Sequence, residues 1–394
     1  MREVYADHAA TTAPAPEVVE AMRAHASRGR FGNASSVHRR GEAAREAVEE
    51  ARGRLARLVG ALPEEIVFTA TGSEANNLAL KGVLAAAPAG RTRIVISAIE
   101  HPSVIETARH LASRGVPLSV VPVGADGILD PAAVAAALGP DVALVSVMWV
   151  NNEVGTIQPV AEVAALAHAA GARMHCDAIQ AVGKLPVDAA GAEVDLLSVA
   201  GHKFHGPLGA AALCVRRRTR LVPLIHGGHQ ERSRRAGTED LPAIAGLGVA
   251  AERAAARLAA DAARLAGLGG RLADGLLAAV PGARLNGDRA RRVPGIANVC
   301  FAGVDGEAVL HELDLLGVTV STGSACSAGS PGPSHVLRAM GLSAEDAHAS
   351  VRFSLGGETS EDDVDYILEV TPAVVSRLRA LDRPAMPGRA SGVR

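Results

Sequence analysis

Over the first 255 residues, short apolar runs alternate with helical patterns, and that alternation restricts the fold more than any other feature. The patterning predicts strands at 65–69, 93–97, 142–148, 172–177, 194–199 and 210–215. Helices are predicted at about 38–58, 74–86, 102–113, 131–138 and 160–170. Strands fed by helices through short turns are βαβ units, which build a mostly parallel sheet in an α/β fold. The stretch 240–279 is a nearly continuous helical pattern and reads as a spine leaving that sheet. After Pro281 the texture becomes a shorter α+β set: a strand near 295–301, a helix at 305–316, strands at 317–320 and 350–355, and a terminal helix at 360–380. Thr359 and Asp362 stand at capping-box spacing where that helix opens. The expected division is a large domain over 14–255, a smaller domain from 1–13 and 256–380, and a flexible tail at 381–394.

A formal net charge of −2 gives no electrostatic reason to expect a nucleic-acid or membrane partner. No run approaches the roughly 18 unbroken apolar residues of a membrane span, since 131–150 is interrupted by Pro140 and Asp141. The opening MREVYADHAATT has no apolar run after its basic residue, unlike a secretory signal. The four cysteines (Cys176, Cys214, Cys300, Cys326) lack CxxC spacing, which argues against a disulfide framework or a zinc site. The expected compartment is the cytoplasm, and no metal is expected.

Open parallel sheets bind ligands beyond the carboxyl ends of their strands. Five predicted strand ends carry polar groups at that edge: Thr71-Gly72-Ser73, Glu100-His101-Pro102, Asn151-Asn152-Glu153, Asp177 with Gln180, and His202-Lys203. Each alone has a plain structural explanation, such as a helix cap, a hydrogen-bonded histidine or a snorkelling lysine. Together they describe a binding edge. A lysine amine at the end of a buried strand is desolvated and suited to bond an aldehyde covalently. A Gly-Ser turn opening a helix suits a phosphate, and Asp177 suits a ring nitrogen that wants a carboxylate. An aldehyde with a phosphate and such a ring is pyridoxal 5'-phosphate. The remaining signal is STGSACSAGSPGPSHVLRAM, residues 321–340, where Cys326 sits among Ser, Ala and Gly in a segment too polar for core. The other three cysteines lie in or beside apolar runs and read as packing residues.

The order and spacing of these stretches resemble the cysteine desulfurases of the NifS/IscS type, in the class-V aminotransferase family of fold-type-I pyridoxal-phosphate enzymes. The stretches are YADHAATT (5–12), FGNASSVH (31–38), VFTATGSEANNLALKG (67–82), EHPSV (100–104), VNNEVGTIQP (150–159), CDAIQAVGKLPVD (176–188), GHKFHGPLG (201–209), GGHQERSRRAGTED (227–240) and the Cys326 segment. The resemblance implies a large domain with a mostly parallel seven-stranded sheet beside a smaller α+β domain. It implies that Lys203 holds pyridoxal 5'-phosphate covalently, that Gly72, Ser73 and His202 bind its phosphate, and that Thr238 reaches the phosphate from the other subunit of a homodimer. Asp177 would pair with the ring nitrogen, Gln180 with the ring hydroxyl, and His101 would stack on the ring and relay a proton. Arg352, with Asn33 and Asn152, would hold the carboxylate of L-cysteine. Cys326 would accept the sulfur as a persulfide, releasing alanine, and a protein acceptor such as an iron–sulfur scaffold would receive it. Ala200 departs from the pattern where relatives offer Ser, as do His229 and Ser233 at usual glycines, Ala34 at a usual proline and Cys176 at a common valine. A selenocysteine lyase and a non-catalytic sulfur-trafficking scaffold are the alternatives that the residues leave open.

Overall fold

A computed structural model describes residues 2–322 and 332–381. Its largest sheet has seven strands in the order Ile66–Thr69, Ala211–Val215, Leu196–Ala200, Arg173–Asp177, Val142–Ser146, Arg93–Ser97 and Leu118–Val121. Only the pairings made by Ala211–Val215 are antiparallel. Because that strand is antiparallel to both neighbours, Ile66–Thr69 runs in the same direction as the parallel set. Its carboxyl end therefore reaches the same edge as theirs. The central strands are buried along their length, which is why they read as continuous apolar runs rather than as alternating ones.

The six predicted strands of this sheet all form, most ending within a residue or two of their expected bounds. The strand at 142–148 stops at Ser146, and Val147 and Met148 continue as irregular chain toward the strand ends. The elements that were not predicted include the edge strand Leu118–Val121, half exposed and only four residues long, and the helix Pro16–Ala26 with Val18 as its one fully buried side chain. Neither offers the long buried run that makes patterning legible.

The predicted spine is one helix, Leu241–Ala279. Its first half packs Leu241, Ile244 and Leu247 into the core beneath the large sheet, against the helices Arg39–Leu58 and Pro16–Ala26. Its second half packs Leu265, Leu268, Leu272 and Leu276 into a separate core. That core lies around the antiparallel sheet Ser350–Ser354, Ile296–Phe301 and Ala283–Asn286 and the helix Glu361–Leu381. The N-terminal strand Val4–Tyr5 pairs in parallel with Val318–Thr319. The terminal helix is capped one residue later than the sequence suggested. Ser360 and Asp363 exchange backbone-to-side-chain bonds, while Thr359 Oγ1 accepts from the Gly356 amide instead. Among the described residues no helix is long and apolar enough to cross a membrane.

Candidate active site

Beyond the carboxyl edge of the large sheet lies a cavity of about 480 Å³. Gly72, Ser73, His101, Asn152, Asp177, Gln180, His202, Lys203 and Arg352 all line it. Nine residues singled out from five separate strand ends and a distant antiparallel strand thus meet in one place.

Lys203 reaches the cavity because the strand Leu196–Ala200 breaks into a single 3-10 turn, Gly201–Lys203. The amides of Phe204 and Gly206 both bond the Gly201 carbonyl, folding the chain back so tightly that a side chain at Gly206 would collide with Gly201. Lys203 Nζ donates to the carbonyls of Ala9 and Ala10 at 2.7 Å each. The N-terminal segment supplying those carbonyls is tied down on both sides. Thr12 N and Oγ1 bond the His202 carbonyl, and Ala9 N bonds Ser354 Oγ.

Asp177 ends its strand with both carboxylate oxygens held. Oδ1 accepts from the Ile179 amide at 3.1 Å and Oδ2 from Asn76 Nδ2 at 2.7 Å. Asn76 also donates to Ser103 Oγ (2.8 Å), which lies 2.8 Å from His101 Nδ1. The Ser103 amide donates to the same ring nitrogen, so His101 caps its own helix and its Nε2 is left for proton exchange. Burial lowers the His101 imidazole, and Lys203 and His335 push the same way against Asp177, so the ring is neutral at neutral pH.

Asn76 and Ser103 are the site residues that the sequence reading missed. The available signal was an asparagine in the interior of a helix, where it is a poor helix former. Replacing Asn76 with Leu strips a donor from a buried carboxylate. It is expected to cost about 1–3 kcal/mol of stability, checked by denaturant unfolding of the cofactor-free protein.

The helix Gly72–Ala86 points its N-terminus into the cavity. Thr71 Oγ1 takes the Glu74 amide and Glu74 Oε2 takes the Ala70 amide. The amides of Gly72 and Ser73 have no intrahelical acceptor and stand in the positive end of the helix dipole. A Cβ at Gly72 would run into Ile179 Cδ1, so a larger residue there would have to displace that side chain. His202, its Nδ1 bonded to Thr11 Oγ1, is lowered to about 4 by burial and by the nearby Lys203 and Lys184 charges. Ala200 contributes only a methyl to this wall.

Arg352 is buried on the strand Ser350–Ser354. Its NH2 donates to Asp7 Oδ1 at 2.6 Å and its NH1 to the Asn152 carbonyl at 2.9 Å. Its Nε is buried without a partner, and the residue lines the cavity. Asp7, which orients the guanidinium, was quoted in the sequence but given no role.

Two predicted residues are elsewhere. Asn33 is exposed and its Oδ1 accepts from the Ser35 amide, and Thr238 is exposed outside the cavity. Cys326 lies outside the described residues. The chain on either side of 323–331 is bonded to the cavity wall. Ser321 and Arg352 exchange backbone hydrogen bonds, Ser334 Oγ donates to the buried Glu153, and His335 Nε2 lies 2.9 Å from the Glu100 carbonyl. The other three cysteines are buried, as predicted for packing residues. Among the described residues no cluster of His, Cys, Asp and Glu could hold a metal ion.

Behind His101, burial pushes the Glu100 carboxyl up to about 8. Its Oε1 accepts from Ser97 Oγ (2.5 Å) and the Met148 amide (3.0 Å), while Oε2 has no partner. The folded state holds this proton more tightly than an unfolded chain with a value near 4.5. The contribution is therefore complete below the unfolded value and is lost as pH rises through the folded one. Relative to Glu100→Gln, the wild-type melting temperature should fall progressively between about pH 5 and pH 8. A constant difference across that window would show Glu100 to be ionised throughout.

The Aminotransferase class-V family profile matches residues 4–367. A curated cysteine desulfurase of Gluconacetobacter diazotrophicus is 47% identical over 97% of this chain and 95% of its own. A solved NifS-like protein superposes with a TM-score of 0.90 at 34% identity, covering 96% of this chain and 100% of that one. A solved structure of SspA in complex with cysteine gives a TM-score of 0.80 at 35% identity, covering 89% and 98%. With the profile matched across both cores, the chain belongs to the class-V aminotransferase family.

Proposed function

We propose that the chain is a cysteine desulfurase, which takes sulfur from L-cysteine, releases L-alanine and carries the sulfur as a persulfide on Cys326. The observation that carries the reading is the meeting of Lys203, Asp177, His101 and Arg352 in one cavity with Gly72 and Ser73 at a helix N-terminus. Family membership implies dependence on pyridoxal 5'-phosphate, and the donor set fits it.

The Gly72 and Ser73 amides and His202 would take the phosphate, with Thr238 added from a second copy of the chain in a homodimer. Asp177, held by Asn76 and the Ile179 amide, would face the ring nitrogen. Gln180 would meet the ring hydroxyl and His101 the ring face. Bound there, the cofactor supplies an electron sink for charge developing at the substrate Cα. Lys203 would hold the cofactor covalently, and its Nζ would be the base that takes the substrate Cα proton. Arg352, fixed by Asp7 and the Asn152 carbonyl, orients the substrate carboxylate, with Asn152 and Asn33 beside it. His101, neutral, relays the proton of the substrate thiol. Cys326 Sγ attacks the substrate sulfur. The S–S bond forms as the Cβ–S bond breaks, and the carbon keeps the electron pair and takes a proton to become the alanine methyl. The persulfide then passes to a protein acceptor such as an iron–sulfur scaffold in the cytoplasm.

We read residues 14–255 as the cofactor-binding domain, and 1–13 with 256–380 as the domain carrying Cys326 and Arg352. Protein loaded with pyridoxal 5'-phosphate should convert L-cysteine to equal amounts of alanine and, in the presence of a reducing thiol, sulfide. Turnover of selenocysteine with none of cysteine would overturn the reading in favour of a selenocysteine lyase.

A further inference from the structure

Only three of the chain's 40 basic residues are lysine: Lys81, Lys184 and Lys203. In a chain that otherwise uses arginine, two of the three converge on one site. Lys184 follows Gln180 by four residues in the turns after the strand Arg173–Asp177, and its Nζ donates to Gln180 Oε1 at 2.5 Å. Gln180 is buried, and its Nε2 donates to the Ala9 carbonyl at 2.7 Å, the same carbonyl that receives Lys203 Nζ. Lys184 and Lys203 together line a second, smaller cavity behind the site, where His8, His205, Arg253 and Asp261 also face them.

The Ala9 carbonyl can only accept, which sets the N–H end of the Gln180 amide, and the Lys184 amine, charged or neutral, has N–H to donate to its oxygen. A carboxamide has nearly the same shape after a half-turn, so shape alone does not fix which end faces a ligand. With Lys184 on the oxygen and Ala9 on one N–H, only one orientation satisfies both, and it leaves the second N–H unspent. Burial lowers the Lys184 amine to about 7, helped by the charges of Lys203 and Arg352. A methionine would fill the space without that desolvation cost.

We propose that Lys184 is a positioning residue that locks the Gln180 carboxamide with its oxygen turned to Lys184 and one N–H available to the ring oxygen of pyridoxal 5'-phosphate. The proposal rests on the cofactor reading above. Lys184 acts through Gln180 rather than by touching the cofactor.

The test uses the cofactor-free full chain titrated with pyridoxal 5'-phosphate, followed by the fluorescence of Trp149, the chain's single tryptophan, which lies between the cavity residues Met148 and Val150. The visible absorption band of the loaded protein is the second readout. Lys184→Met should raise the dissociation constant about tenfold and shift the band, the loss of one hydrogen bond to a charged oxygen. Lys184→Gln, which keeps a donor, should stay within about threefold. In a Gln180→Ala background Lys184→Met should change nothing further. Should Lys184→Met fail to fold, Gln180→Glu carries the test, because it keeps the acceptor for Lys184 but has no N–H, and it should lose the same tenfold. Wild-type affinity in Lys184→Met or Gln180→Glu would overturn the proposal, as would an undiminished effect of Lys184→Met in the Gln180→Ala background. A wild-type chain that binds no pyridoxal 5'-phosphate would instead overturn the reading of the site itself.

Discussion

Lys203→Ala should abolish desulfuration of L-cysteine, with a loss of at least about 10³-fold in kcat, and should remove the visible band of lysine-bound pyridoxal. One side chain is asked for two things, the covalent hold on the cofactor and the base for the Cα proton, and a positioned base alone is worth about 10²–10⁴-fold. The variant should still fold. Lys203 Nζ bonds two backbone carbonyls, and one of them, Ala9, keeps its second donor in Gln180. The expected change in unfolding free energy is about 1 kcal/mol. It should also still bind the cofactor noncovalently, since the Gly72 and Ser73 amides, Asp177 and His202 are untouched. Loss of rate with a retained fold and retained phosphate binding is the pattern of a removed catalytic group. Collapse of all three together would make Lys203 structural.

Cys326→Ala should lower sulfur release from L-cysteine by at least about 10²-fold while leaving cofactor binding at the wild-type level, because the replaced group acts in one later bond exchange. No other thiol can substitute. Cys176, Cys214 and Cys300 are all buried, and burial pushes each thiol up, that of Cys214 to about 12. The thiolate is the nucleophile, so none of the three supplies one at neutral pH. Mass spectrometry after a single turnover should find one added sulfur atom on the peptide holding Cys326 in the wild type and none in the variant. Full-rate sulfur transfer by Cys326→Ala would contradict the assignment. Ser321, Ser334 and His335, the described residues on either side of 323–331, bond Arg352, Glu153 and the Glu100 carbonyl.

Much of this site was legible because strand ends are legible. An apolar run that stops on Asp177, or on Gly-His-Lys at 201–203, marks a chain leaving a buried sheet at the edge where ligands bind. The support behind those residues was not. Asn76, Ser103 and Asp7 act by bonding partners far away in the chain, and nothing in local spacing tells a donor to Asp177 from an ordinary helix polar residue. Lys184 was invisible for the same reason, although the scarcity of lysine among 40 basic residues was a signal in plain view. Short exposed elements such as Leu118–Val121 fail differently, for too few of their residues are buried to set a period.

Ser233 was noticed as a departure from glycine, and the structure shows what that entails. Glu231, Arg232 and Ser233 have φ of 47°, 57° and 62°, a left-handed run of three residues that have side chains. The buried, bidentate Arg52–Glu231 pair (2.7 and 2.9 Å), with Glu231 also taking the Phe68 amide, holds that strained turn in place.

The most direct measurement is borohydride reduction of the chain loaded with pyridoxal 5'-phosphate, followed by peptide mapping. With three lysines to choose from, the pyridoxyl group should be found on Lys203 alone. A label on Lys184 or Lys81, or none at all, would contradict the site from which every step of the proposed chemistry starts.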